Sequence, residues 1–351
     1  RGRGCKMPSS CAVSTVQVKP FFDEAAPLSG EQMMAANPYR PWPARITSII
    51  DLTETEKLFE FRLIDERIRG AFRHEPGQFV ELTIFGVGEA PISISSSPSK
   101  RGFIELCVRR AGRFTEALHK MQCGDIVGIR GPFGRGFPFE EMKGHDILLV
   151  AGGLGIAPLR SLINNIHDER SDFGKVTIIY GSKNPSEVMF RQQFEMWRHR
   201  KDFDLYLTVD HPTTRGTARS AWSQSLSSIW RSMPPTRSAL CGPPVMYRFA
   251  IDEMRKKGIS YDHIYMSFER HMKCGMGKCG HCQIGHQYCC IEGPCSTIGK
   301  RRTSRGRCRW EARTWDAETT SARRATFRAL WWSGLPAASA ASSRSPTSRS
   351  T

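Results

Sequence analysis

The sequence has no apolar run of 18 residues, so nothing in its 351 positions reads as a membrane-spanning helix. Its first residues carry no secretory-signal pattern. Twelve cysteines in that length are too sparse for a disulfide-stapled scaffold. These absences predict a soluble, cytoplasmic protein with no membrane insertion. Acidic residues are missing locally too. Residues 215–237 hold four arginines and no Asp or Glu, and residues 295–351 hold 12 Lys+Arg against three acids. Removing the +4 and +9 of these stretches from the formal charge of +17 leaves +4. The basicity that would otherwise indicate nucleic acid or an anionic membrane is confined to them, and no nucleic-acid partner is expected.

The most informative cysteines lie late in the chain. From Cys274 the sequence reads Cys-Gly-Met-Gly-Lys-Cys-Gly-His-Cys-Gln-Ile-Gly-His-Gln-Tyr-Cys-Cys. Cys274, Cys279 and Cys282 form a C-x4-C-x2-C pattern with a further cysteine seven or eight residues on, which is the plant-ferredoxin spacing for a [2Fe–2S] cluster. Three thiolates on one loop can wrap two irons while a fourth arrives from the next turn. Gly275, Gly277 and Gly280 let that loop fold tightly and aim amide N–H groups at sulfur. Zinc and unliganded thiols are the competing readings, but structural zinc usually takes C-x2-C pairs and the first gap here is four. His271, His281 and His286 read as solvated loop residues, because four thiols suffice.

The length allows two or three domains. From about Asn37 to Phe139 short strands alternate with turns. Gln78–Phe85 alternates in part, and Ile104, Leu106 and Val108 share a face. This predicts an antiparallel β-barrel over residues 37–142. Asp146-Ile-Leu-Leu-Val150 is then a continuous apolar run, as in a buried parallel strand, and leads into Ala151-Gly-Gly-Leu-Gly-Ile-Ala-Pro158. Lys175–Tyr180 and Asp204–Asp210 repeat the pattern, with a helix ending near Trp197 between them. Such alternation predicts an α/β parallel-sheet domain over 143–265, with ligands at the strand carboxyl ends. The glycines after Val150 either admit a pyrophosphate to the next helix N-terminus or serve close packing. Residues 266–294 form a small cysteine loop domain. Residues 1–36 read as an unstructured or read-through leader, and the aperiodic residues 295–351 as a disordered tail in which Cys295 and Cys308 are not ligands.

Glu89-Ala-Pro-Ile-Ser-Ile-Ser-Ser-Ser-Pro98, Gly112-Arg-Phe-Thr-Glu-Ala-Leu118, Gly131-Pro-Phe-Gly134, the Ala151–Pro158 stretch, Cys241-Gly-Pro-Pro-Val-Met246 and Met272–Cys282 occur in that order. Together they resemble the ferredoxin–NADP reductase superfamily, and within it the gamma subunits of nickel–iron hydrogenases and sulfhydrogenases. The electron-transfer subunit of dihydroorotate dehydrogenase and a subunit of anaerobic sulfite reductase are similar relatives. The resemblance covers about Asn37 to Pro294, and its last motif is the most specific.

The resemblance implies an antiparallel β-barrel flavin domain, an α/β parallel-sheet nucleotide domain and a small [2Fe–2S] cysteine loop domain, with FAD, NAD(P)H and the cluster as cofactors. By the same resemblance, Pro91, Ile92, Ser93 and Ile94 would lie along the isoalloxazine, with Ser93 near its N5. Gly112, Arg113, Phe114 and Thr115 would hold the FAD pyrophosphate. Gly152, Gly153, Gly155, Ile156, Ala157 and Pro158 would bind the nicotinamide nucleotide's phosphates. Cys241 and Gly242 would edge the nicotinamide, which makes Cys241 and Ser93 the candidate catalytic residues. Cys274, Cys279, Cys282 and Cys290 would ligate the cluster; Cys290 directly precedes Ile-Glu-Gly-Pro, leaving Cys289 spare. One departure is Ala90, which stands where many members carry arginine. Arg109 and Arg110 are either its substitutes as phosphate clamp or ordinary strand-end charges. NADH is placed slightly ahead of NADPH, although Lys183 and Arg191 could accept a 2′-phosphate.

Electron counting orders these parts. The nicotinamide gives two electrons as hydride, the cluster takes one, and a flavin converts between them. The implied activity is that of an NAD(P)H-dependent flavin/iron–sulfur oxidoreductase subunit, exchanging electrons with a redox partner subunit such as a nickel–iron hydrogenase or another iron–sulfur protein. A stand-alone NAD(P)H:ferredoxin-type reductase and a non-catalytic redox-sensing module are the alternatives.

The acid-free segments depart from the family pattern, which expects roughly Trp-x-Gly-x-Val-Gly-Val-Val-Thr after the third parallel strand. Read one base over, the codons from Arg215-Gly to Ser223-Gln permit Trp, Gly, Val, Gly, Val, Val and Thr in order. The same shift from Pro294 yields Val-Phe-Asn-Tyr-Trp-Glu-Ala, the family's usual ending. Residues 215–237 and 295–351 are therefore expected to be out of frame, and the chain as printed to bind flavin but use nicotinamide poorly. Sequencing the encoding DNA should show one-base insertions or deletions near Thr214, Leu240 and Pro294. Clean reads in this frame, with close relatives carrying the same residues, would overturn the expectation.

Overall fold

A computed structural model describes residues 29–200, 202–210 and 236–298. The expectations for residues 1–28, for most of the shifted segment and for the tail from 299, Cys308 included, lie outside the described residues. The first described element is α1 (Gly30–Ala36), opened by a reciprocal capping box in which Ser29 and Gln32 bond each other's backbone N–H. It packs against α2 (Glu66–Ala71), where Gly30 meets the Arg67 carbonyl too closely for any side chain. The expected leader is thus corrected: its last residues form a docked helix.

Six antiparallel strands follow: β1 (Trp42–Asp51), β2 (Glu56–Leu63), β3 (Phe79–Ile84), β4 (Gly88–Ser93), β5 (Ile104–Arg109) and β6 (Ile126–Phe133). Their spatial order is β4-β3-β6-β1-β2-β5. Ile94, just beyond β4, bridges Leu106 of β5, so the two edges meet and the sheet closes on itself. Alternation explains the interior. Trp42, Ala44 and Ile46 of β1, Val80 and Leu82 of β3, and Leu106 and Val108 of β5 are buried in one shared core. α3 (Arg113–His119) packs against β3 and β4.

After the short α4 (Phe139–Met142) comes a second sheet, with β7 (Ile147–Gly152), β8 (Val176–Ser182), β9 (Phe203–Val209), β10 (Arg237–Cys241) and β11 (Ile264–Ser267). These strands are parallel, in the order β11-β10-β7-β8-β9. Both faces are covered, which is why β7 is apolar throughout. Ile147, Leu149 and Ala151 join the core containing α5 (Ile156–Asp168) and α6 (Arg191–Arg198), while Leu148 and Val150 join the core beneath the helix Pro244–Lys256. β10 departs from this chemistry. Ser238 on it and Thr236 just before it are buried polar residues, and Thr236 Oγ1 and Arg237 Nε find no hydrogen-bond partner among the described residues. These residues are where the sequence reading ends its shifted segment. No helix of the described residues is long and apolar enough to cross a membrane.

The cysteine segment holds a small hairpin, β12 (Gln283–Ile284) with β13 (Gln287–Tyr288), and then returns as β14 (Cys295–Thr297), antiparallel to β11. The start of the expected disordered tail is corrected accordingly. Edge pairing satisfies the backbone of β14, and burial of Cys295 and Ile298 holds it down.

The two sheets meet through a polar clamp. Arg160 of α5 is buried and donates to the Ser95 carbonyl (2.9 Å), Glu105 Oε2 (2.7 Å) and Gln193 Oε1 (2.6 Å). Ser161 Oγ donates to the Ser96 carbonyl at 2.6 Å, and Asp168 accepts from Ser97 (2.8 Å) and Ser99. Removing one partner of a buried ion pair strands the other, so Arg160→Leu should lower stability by about 3 kcal/mol. Urea unfolding measures this; a loss below about 1 kcal/mol, the worth of an exposed pair, would show that the clamp is not structural.

Candidate functional site

The carboxyl ends of β7 and β10 lie side by side, with Cys241 paired to Ala151. The turn Cys241–Pro243 sits on the glycine loop after β7. Gly155 abuts the Cys241 carbonyl, and a Cβ on Gly152 would come 2.7 Å from Pro243 Cδ. A Cβ on Gly242 would come 2.6 Å from Met246 Cε and 2.9 Å from Gly152 N. Close packing therefore explains these three glycines. Gly153 is different: it has φ +52° and open space where a Cβ would stand. α5 begins at Ile156 without a side-chain cap, and the 3-10 turn Gly153–Gly155 leads into it, with Ile156 N–H bonding back to the Gly153 and Leu154 carbonyls. Cys241 is buried, and its thiol is raised above its ordinary value by burial and then by the Glu269 carboxylate. Tyr247 escaped the sequence reading. Its hydroxyl accepts from Gly242 N–H (3.2 Å) and donates to the Ser267 carbonyl (2.7 Å), fixing the turn to β11. An aromatic hydroxyl in the helix just after Cys-Gly-Pro-Pro was the available signal.

On the barrel, Pro91, Ile92 and Ser93 of β4 are half-buried and face Glu81, Val80 and Phe79 of β3, while Ile94 is fully buried. Gly112 and Arg113 are exposed, and Phe114 packs against the barrel core beside Ile92. Thr115 Oγ1 closes its own turn, accepting from Ala111 N–H (2.8 Å) and donating to the Gly112 carbonyl (3.0 Å). Arg109 is ion-paired with buried Glu56, while Arg110 is exposed. Arg191 donates to carbonyls of its own turn, Val188 at 3.2 Å and Pro185. Ser93 and Cys241 belong to separate sheets, and no hydrogen bond joins them among the described residues.

The cysteine segment brings four thiols into one neighbourhood. Cys282 Sγ and Cys290 Sγ are 3.3 Å apart, and Cys274 lies close enough to act on both Cys279 and Cys290. Met276 N–H points at Cys274 Sγ (3.4 Å) and Gly277 N–H at Cys290 Sγ (3.1 Å). Gly275, Gly277 and Gly280 all have φ between +69° and +77°, as such a winding loop requires. Burial and the adjacent Cys282 push Cys290 up to about 12, so a cation is needed to hold this thiol ionised. Cys279 is instead lowered, chiefly by the His281 amide. Cys289 points away and bonds the Phe268 carbonyl at 3.2 Å. His271, His281 and His286 are exposed. Among the described residues no three His, Cys, Asp or Glu side chains are arranged around one metal ion.

This segment docks on the outer face of the barrel. Phe79 shares a core with Cys282, Cys289 and Cys290, and Phe133 packs on it. Beside them lies a charged group that the sequence reading missed. Glu81 is buried with both carboxylate oxygens unpartnered among the described residues, and burial, reinforced by Glu89, raises it to about 8. Glu89 itself is ion-paired with Arg130 at 2.6 Å. Only the strand register puts Glu81 opposite Arg130.

Residues 43–137 match the family described as oxidoreductase FAD-binding domain, and residues 149–252 the oxidoreductase NAD-binding domain. The chain is 40% identical over 287 residues to sulfhydrogenase 2 subunit gamma of Pyrococcus furiosus, covering 77% of this chain and 99% of that one. It is 35% identical over 247 residues to the probable dihydroorotate dehydrogenase B (NAD(+)), electron transfer subunit, of Methanocella arvoryzae, covering 69% and 84%. In fold it is similar to the solved structure of the NADH-dependent reduced ferredoxin-NADP oxidoreductase, with TM-score 0.59 and 21% identity over 72% of this chain and 87% of that one. A ferredoxin NADP+ reductase from Neisseria gonorrhoeae aligns at TM-score 0.55 and 20% identity, over 64% and 96%.

Glu81 has a consequence for pH. Its folded value near 8 lies above the ordinary 4.5, so the stability it contributes is complete below about pH 4.5 and is lost as pH rises through about 8. Glu81→Gln should flatten this decline. Thermal unfolding should place the variant above wild type at about pH 9, with the gap closing toward about pH 5. An equal gap at both would contradict the buried, protonated carboxyl.

Proposed function

This chain belongs to the sulfhydrogenase gamma-subunit family, and from that membership we propose that it is the subunit that passes electrons between NAD(P)H, FAD and a [2Fe–2S] cluster to or from a redox partner subunit. It is an NAD(P)H-dependent flavoprotein oxidoreductase built from an FAD-binding and an NAD-binding domain. Bound FAD and the cluster would supply the step from two-electron hydride chemistry to single electrons.

The protein's own residues do the positioning. Gly153, with open space beside it, leaves room for the nucleotide's phosphates at the start of α5. Gly152, Gly155, Ile156, Ala157 and Pro158 shape that end of the sheet, and Cys241 and Gly242 edge it. Pro91–Ile94 would line the isoalloxazine, with Ser93 as the hydroxyl nearest its reacting edge, and Gly112–Thr115 would face the pyrophosphate. Cys274 with Cys279, and Cys282 with Cys290, would each hold one iron. The 3.3 Å approach of Cys282 to Cys290 and the C-x4-C-x2-C spacing support this. In this assignment the domains run 37–142, 143–265 and 266–294, with β14 added to the second sheet.

The observation that carries the reading is continuity through β4. Its following loop is clamped to α5, which starts at the glycine loop, and Phe79, the cross-strand neighbour of Ser93, packs on the cysteine core. The strand pair β3–β4 and the loop after it thus connect the candidate flavin strand to the helix after the glycine loop and to the cysteine core. A redox partner is proposed because the relatives of this chain are subunits.

Anaerobic purification, or reconstitution with iron and sulfide, should yield one flavin and about two irons per chain, with a reduced-state EPR signal. Cys290→Ser should lose the native cluster and Cys289→Ser keep it. The reverse result would overturn the ligand assignment, and flavin-free protein would overturn the function. Anaerobic stopped-flow flavin reduction with each nucleotide tests the weak preference for NADH.

A further inference from the structure

Arg130 sits on β6, outside every residue assigned above, and is 4% exposed although charged. A buried guanidinium is tolerated only where its donors are met. Here Nε and Nη2 form a bidentate pair with Glu89, at 2.8 Å to Oε1 and 2.6 Å to Oε2. Nη1 donates to the Pro38 carbonyl at 3.0 Å and to the Cys274 carbonyl at 3.2 Å.

Each partner belongs to a different part of the molecule. Glu89 is the second residue of the strand that carries Pro91–Ser93, and its Oε1 also accepts from Thr83 Oγ1 at 2.7 Å, which orients it. Cys274 is the first cysteine of the winding loop. Pro38 belongs to the connection between α1 and β1. A second contact doubles the attachment of the loop. The guanidinium lies 5.4 Å from the Phe133 ring centroid, and Gly275 rests on that ring so closely that a Cβ would come 2.8 Å from Cδ2. The carbonyl before Gly275 is thus bonded to Arg130, while its Cα is seated on the residue three positions along the same strand.

We infer that Arg130 is the positioning residue that registers the cysteine loop against the flavin strand, one guanidinium holding Glu89 and the Cys274 carbonyl together. The inference rests on the proposed function for its electron-transfer consequence, but the contact itself belongs to the protein alone. Lysine cannot reproduce it: a single ammonium has no planar fork to grip both carboxylate oxygens and still reach two carbonyls.

The test compares full-length wild type, Arg130→Lys and Thr83→Val, the last removing only the hydroxyl that orients Glu89. Hydrogen–deuterium exchange of peptides spanning residues 272–278, on protein without iron, reads the latch independently of any cluster. Exchange there should accelerate in Arg130→Lys, and to a smaller degree in Thr83→Val, relative to a barrel peptide such as 104–109. On reconstituted protein, stopped-flow absorbance and freeze-quench EPR should show cluster reduction slowed by a few-fold. The loss should fall on that step rather than on flavin reduction by NADH, and the reduced-state EPR line shape should change. Unaltered loop exchange in Arg130→Lys would overturn the latch, and faster exchange with an unaltered cluster step would overturn its electron-transfer role. Wild-type protein that takes up no cluster would instead count against the proposed function, leaving the exchange result to decide the latch. If Arg130→Lys fails to fold, Thr83→Val decides by the same two measurements.

Discussion

Everything in this structure depends on how the loop Ser95–Ser99 is held against α5. The loop leaves the strand that carries Pro91–Ser93, and the helix begins at the glycine loop of the parallel sheet. Arg160, Ser161 and Asp168 bind it from one helix face, and each satisfies backbone or hydroxyl groups that burial would otherwise leave unpaired. Two separate sheets thereby acquire one fixed relation. A purely apolar contact could slide, whereas hydrogen bonds of defined length cannot, and a hydride donor and acceptor brought from separate domains need that definition.

The cysteine segment is attached by different means. It has little regular structure, with two-residue strands and a single helical turn, so it cannot stabilise itself by a ladder. It borrows rigidity from the barrel face, where Phe79 and Phe133 supply apolar surface, Arg130 grips a carbonyl and β14 ties the end of the segment into the second sheet. The price is a buried carboxylate without partners at Glu81, a group tolerable because it holds its proton near neutrality.

Much of this was legible from residues. The continuous run Ile147–Val150 read as a strand covered on both faces and lies as one; Ile104, Leu106 and Val108 face the barrel core as their alternation indicated, although the other face of that strand also buries Cys107 against the second sheet's core. The cysteine spacing pointed to a winding loop, and the left-handed glycines are found in it. The site was less legible. Gly152 and Gly155 read as phosphate glycines and Gly242 as the nicotinamide edge; what the sequence did not show is their close packing on the Cys241 carbonyl, Pro243 and Met246, about 90 residues away from the first two. Arg109, a candidate for an anion clamp, is turned to Glu56 instead. Gly30–Ala36 and Cys295–Thr297 carry too little periodicity to announce themselves, and only the surfaces they dock on make them ordered.

The sequence by itself determined the kind of protein: which runs become barrel strands, which become parallel strands, and where the thiols cluster. Those are local consequences of side-chain periodicity, turn chemistry and spacing within a few residues. Only the tertiary structure decided which charges meet. Arg130 with Glu89 and Cys274, Arg160 with Ser95 and Glu105, and Tyr247 with Gly242 and Ser267 are in most cases separated by dozens of residues, and no local pattern encodes their partners. Long-range polar contacts depend on register and on the docking angle of whole elements. Those are set by the sum of the packing, which no single stretch of sequence contains.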